Sequence, residues 1–179
     1  MTRHPLIPVV LSVALGACAG ITVNTGNPRP NINIAKSEQK MKLELGTDVR
    51  DTFKQPGTNN MAEFEVKGWH GTLKNGFKNG FGKFFTLVDD GQELSLQVET
   101  AELSFVPAAV AADGNTAAVR AQVRFSANLV DPTGNVVKRM AGTAESKQST
   151  GDRGETGRIA DGAVESMYEA IAAEAFATK

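Results

Sequence analysis

The chain has 179 residues, with 19 basic and 20 acidic side chains and a formal charge of −1. So even a balance supplies neither the clustered basic face that nucleic acid requires nor a polybasic patch for anionic lipid, which excludes binding to polyanions by bulk charge. About 160 residues follow the N-terminal segment, enough for one domain and a tether.

The chain opens with the short basic stretch Met1-Thr2-Arg3-His4-Pro5 and continues through the apolar run Leu6 to Leu15. This is the layout of a secretory signal peptide. A membrane-spanning helix needs about 20 apolar residues; this run is shorter and contains Pro8. Its exit, Leu15-Gly16-Ala17-Cys18, resembles the lipobox of bacterial lipoprotein precursors. The resemblance implies cleavage before Cys18, a diacylglycerol on its sulfur and usually an acyl chain on the new amino group. One acyl chain binds a membrane marginally, whereas two or more, at about 0.8 kcal/mol per buried methylene, hold firmly. Removing residues 1–17 takes away Arg3 and leaves a formal charge of −2. Cys18 is the only cysteine, so an internal disulfide is ruled out. Ala19 stands where, in that family, an aspartate directs inner-membrane retention; this favours the outer membrane, with the domain facing the periplasm or the cell surface.

From Ala19 to Gln39 the sequence is rich in Gly, Asn and Pro, the composition of a flexible linker over residues 18–39. Fully extended, it would reach about 70 Å. Within it, Ile32-Asn33-Ile34 also has the alternation of an edge strand. The single folded domain is expected over 40–179. Met41, Leu43 and Leu45 alternate with charged residues as in a half-buried strand; Lys54 to Asn60 reads as a loop; Phe64 and Val66 mark a second strand. Trp69, Leu73, Phe77, Phe81 and Phe84 or Phe85 recur at helical spacing. Gly76 and Gly80 lie beside that stripe, and close approach to a sheet is the expected reason for them, because glycine costs about 1 kcal/mol in a helix. The tetrapeptide Lys-Asn-Gly-Phe occurs twice, at 74–77 and 78–81.

Asp89-Asp90-Gly91 is a turn. Leu94, Leu96 and Val98 alternate and then shift phase to Leu103 and Phe105, as a bulge within 99–102 would produce. Val119 to Leu129 alternate strictly, Asp131-Pro132-Thr133-Gly134-Asn135 turns the chain, and Val136, Met140, Gly142 and Ala144 return it, predicting a hairpin over 117–146. Ile159, Ala163, Met167, Ile171 and Ala175 mark a closing amphipathic helix. The order β-β-α-β-β-β-α points to an α+β two-layer sandwich, a mainly antiparallel sheet with two helices on one face. This order, the strand ending Thr47-Asp48-Val49-Arg50-Asp51, the helix closing in Gly80-Phe81 and the hairpin at 131–134 together resemble the YajG-type and ABC-transporter auxiliary outer-membrane lipoproteins. The resemblance implies a periplasmic accessory protein that binds partners.

No residue set announces a chemistry. His70 is the one histidine after residue 17, so no transition-metal set and no Ser/His/Asp triad can be assembled; a surface or capping role is expected for it. No cofactor or metal is expected, and no nucleic-acid partner. Three functions remain. The first is a non-catalytic adaptor in envelope assembly or transport, with a membrane and an envelope protein as partners, touching the latter through Arg120, Arg124 and Lys138. The second is a carrier of a lipid or other apolar ligand on the face of Phe77, Phe81 and Phe84. The third is a hydrolase using Asp48 and Asp51 or Asp89 and Asp90. An exposed sheet edge pairs readily, which keeps a homodimer among the assemblies.

Overall fold

The computed structural model describes residues 20–56, 62–112, 114 and 116–176. Cys18, the leader and positions 57–60 of the expected loop lie outside these residues. In chain order the described elements are β1 (Ile21–Val23), β2 (Lys40–Leu45), β3 (Phe53–Gln55), β4 (Phe64–Val66), α1 (Trp69–Phe81), β5 (Thr86–Leu87), β6 (Leu94–Val110), β7 (Thr116–Val130), β8 (Val136–Glu145) and α2 (Thr156–Ala175).

The fold is α+β, as the pattern of elements predicts. A five-stranded sheet runs in the order β5-β2-β6-β7-β8. Its antiparallel meander β6-β7-β8 contains the expected hairpin, and both helices pack on the sheet face bearing Leu96, Val123 and Phe125. The phase shift in β6 occurs where expected: the register slips between Val98 and Thr100, so that Val98 and Ala101 both point into the core. Gly46 meets this bulge, its N–H donating to the Val98 carbonyl at 2.8 Å. Each large core side chain, such as Leu96 or Phe105, contributes about 1.5–3 kcal/mol through burial. The opposite face is polar and paired strand to strand. Asn128 Nδ2 donates to Glu99 at 2.7 Å, Gln97 Nε2 to Glu44 at 2.9 Å, and Thr100 and Ser126 share a hydrogen bond of 2.9 Å.

The sheet is mainly antiparallel, as expected, and β2 adds a parallel part by pairing with β5 and β6, because α1 lies in the crossover from β2 to β6 and returns the chain in the same direction. Other expectations are corrected. A second sheet, β1-β4-β3, places β1 parallel to β4 and β3 antiparallel to it. It takes Lys54 and Gln55 out of the expected loop. Helix α1 ends at Phe81; Phe85 is buried beyond the helix and Phe84 is half-buried.

The largest correction concerns the tether. Residues 24–34 are extended, but they form a strap held between α1 and α2. The N–H groups of Asn27, Arg29 and Asn31 donate to Asp161 (3.1 Å), Glu165 (2.8 Å) and Glu169 (2.9 Å). From the other side, Asn75 and Asn79 of α1 donate to the carbonyls of Gly26 and Pro28, each at 2.8 Å. The spacings match: residues four apart on a helix advance about 6 Å, and residues two apart on an extended chain advance about 6.6 Å. Pro28 and Pro30, which have no N–H to satisfy, occupy the alternate positions and are buried, as is Ile32. A flexible coil would show none of this.

The strap also accounts for the tetrapeptide repeat. In each copy the asparagine grips a strap carbonyl and the phenylalanine enters the core. The two glycines admit close neighbours other than the sheet. A Cβ on Gly76 would lie 2.9 Å from the Tyr168 ring and 3.0 Å from Val164 of α2, and one on Gly80 would lie 2.8 Å from Ile32.

Candidate functional site

Beyond Val98 strand β2 no longer covers the edge of β6, and side chains take its place. Trp69 Nε1 donates to the Ala101 carbonyl at 2.9 Å. The Gln55 amide imitates a neighbouring peptide unit, accepting from Phe105 N–H at 2.9 Å and donating to its carbonyl at 3.3 Å. Alongside runs a groove of about 660 Å³ lined by Asp48, Arg50, Phe53, Lys54, Glu102 and Leu103. It continues into a hollow of about 330 Å³ that shares Phe53 and Glu102 and adds Gln122 and Arg124. The groove is lined by both acidic groups (Asp48, Glu102) and basic groups (Arg50, Lys54, Arg124), a mixture suited to the dipoles and mixed charges of a polypeptide.

The predicted contact residues divide between two faces. Arg120 and Arg124 lie on the polar face of β7, where Arg120 donates to Glu145 at 3.0 Å and Arg124 lines the groove. Lys138 pairs in register with Leu129, whose side chain is buried on the helix side. Its ammonium faces Glu174 of α2 at 3.9 Å. The three cations therefore do not form one patch.

The aromatic stripe is occupied by the protein itself. Phe81 is fully buried, with ring centroids 6.0 Å from Tyr168 and 6.2 Å from Phe176; Phe77 packs 5.3 Å from Phe81, while Phe84 is only half-buried. The Tyr168 hydroxyl donates to the Leu73 carbonyl at 2.9 Å and burial pushes its pKa up, so it stays neutral.

The aspartates serve different ends. Asp51 accepts the His70 N–H at 2.9 Å and its carbonyl accepts that of Trp69, so it caps the start of α1 from a distance. The His70 ring reaches the Val49 carbonyl at 2.6 Å. Asp48 lines the groove, and Asp90 is almost fully exposed. In the β7–β8 turn, the Thr133 hydroxyl first, then the Asn135 N–H, hold the Asp131 carboxyl down at about 2. No group of three His, Cys, Asp or Glu side chains is close enough to share a metal ion among the described residues. The acidic row of α2 could have been suspected from Asp161, Glu165 and Glu169 at helical spacing; sequence reasoning missed it.

These elements define a two-layer α+β domain with an N-terminal strap across its helices and a mixed-charge groove at its sheet edge. No protein-family model and no curated protein matches the sequence. Among solved structures, a Xanthomonas campestris protein of the DUF330 family aligns with a TM-score of 0.58 at 11% identity, covering 87% of this chain and 94% of that one. This likeness is one of fold. A minor lipoprotein from Acinetobacter baumannii aligns at a TM-score of 0.47 and 13% identity, over 76% and 90% of the two chains. Lipoprotein B from Nitrosomonas europaea aligns at 0.45 and 11%, over 86% and 94%.

Proposed function

We propose that the chain is a lipid-anchored envelope lipoprotein whose domain binds another envelope component during transport or assembly, without catalysis of its own. The observation that carries this reading is the Leu15-Gly16-Ala17-Cys18 exit from a short basic and apolar leader. No helix among the described residues is long and apolar enough to cross a membrane; in this reading the acyl chains on Cys18 supply the attachment, with the outer membrane as its site because Ala19 follows. The groove beside Phe53 and Glu102 is the partner surface, since its mixed acidic and basic lining suits a polypeptide. The anchor is tested by feeding cells an alkyne-bearing fatty acid. Wild type should incorporate it and band with outer membrane on a density gradient, and Cys18→Ser should do neither. Unlabelled, soluble wild type overturns the proposal. The groove is tested by placing a photo-crosslinking residue at position 124 or 138. Discrete envelope adducts are expected from 124; their absence there removes the groove from the account.

A further inference from the structure

The β6–β7 hairpin extends past the body of the sheet, and its strand ends are apolar on both sides of the polar Asp113-Gly114-Asn115-Thr116 turn sequence. After Phe105 the chain reads Val106-Pro107-Ala108-Ala109-Val110-Ala111-Ala112 and returns through Ala117-Ala118-Val119; Asp113 is the one charged residue between Phe105 and Arg120. Residues 108–112 are exposed, Val110 at 56%. Exposed strand ends in water are normally guarded by charge, and this one is almost bare of it.

The direction of the N-terminal strand gives this tip its meaning. Phe64 stacks on Phe105 at 4.2 Å, and Trp69 reaches Ala101, so β4 runs toward α1 as β6 is traced backward from Phe105 to Ala101. Strand β1 is parallel to β4, with Ile21 opposite Phe64. Traced back from Val23 to Ile21, the chain therefore heads the way β6 heads toward its tip. Cys18 lies three residues before Ile21, a reach of at most about 11 Å. From Phe105 to Val110, β6 advances about 16 Å. The strap fixes the chain just after β1 to both helices, so residues 24–34 add no slack.

We infer that the hairpin tip is a membrane-contacting element, seated in the interface of the same bilayer that holds the acyl chains. It sets the domain upright with the 131–134 turn pointing away. This rests on the lipid-anchor reading. The occupant is a lipid surface, because the exposed strand end 108–112 is apolar and lies on the side from which the anchor leaves, with the polar 113–116 turn suited to the headgroups.

The test uses the full mature lipoprotein in phosphatidylcholine vesicles, after intact mass has shown its acylation state. The sulfur of Cys18 is then consumed by lipid, so an environment-sensitive thiol dye marks only an introduced cysteine. Val110→Cys is compared with Val137→Cys, which is 58% exposed near the opposite end of the sheet. The dye at 110 should shift to the blue and lose most of its emission to headgroup-nitroxide lipid, and the dye at 137 should do neither. Equal, water-like emission at both positions, or equal quenching at both, overturns the orientation while leaving the anchor intact. Protein without acyl mass overturns the anchor itself, and this orientation with it.

Discussion

Asp161 is more than half-buried and carries one oxygen that accepts from Asn27 and another, Oδ1, with no hydrogen-bond partner. Burial raises its pKa, the Asn27 N–H partly offsets this, and Glu165 one turn away raises it again. A carboxyl whose folded pKa is raised contributes stability that is present below the unfolded value, about 3.9, and is lost as pH rises through the folded value. At neutral pH the charge is therefore a cost, although the acceptor is useful. Asp161→Asn keeps an acceptor oxygen and removes the charge. It should raise stability at pH 7 by less than about 1 kcal/mol, since solvent screens a partly exposed group, and the gain should shrink toward pH 4. Thermal melts at the two values check this; a loss at pH 7 would show that the charge itself holds the strap.

Helix α1 and the strap show how elements depend on contacts far away in sequence. Adding one methyl at Gly76 should improve helix propensity by about 1 kcal/mol. It also drives a Cβ to within 3.0 Å of both Tyr168 and Val164, and overpacking of this kind costs about 1–3 kcal/mol. Gly76→Ala should therefore lower the melting temperature. Gly157→Ala, with nothing within 4 Å, should be neutral or slightly stabilising. Hydrogen exchange checks the strap: in Glu165→Ala/Glu169→Ala, the amides of Arg29 and Asn31 should lose protection, while Val123 and Phe125 of β7 keep theirs. The apolar faces of both helices, the bulge at Glu99 and the β7–β8 hairpin were legible because each is written in local periodicity. The strap was not. Residues 27–34 alternate as a strand does, but Pro28 and Pro30 bar them from a sheet ladder, and the partners Asn75, Asn79 and the acidic row of α2 look like solvated helix faces until the helices are placed side by side.

At the scale of the molecule, an alternating strand pattern says which face is wet and nothing about which strand lies beside it. β2 therefore reads the same whether its partner is parallel or antiparallel, and the crossover through α1 decides. The small sheet escaped notice because three residues, as in β1 or β3, are too few to show a period. Function divides in the same way. The groove depends on Phe53, Glu102 and Arg124 coming together from β3, β6 and β7, a tertiary event, whereas the proposed anchor is read from four consecutive residues, 15–18. That anchor is the central claim, and intact mass with tandem sequencing of the N-terminal peptide tests it most directly. A mature chain should begin at Cys18 and carry the mass of a diacylglycerol plus an amide-linked acyl group, with Cys18→Ser retaining its leader and no lipid. A wild-type chain bearing an unmodified Cys18 thiol would contradict it.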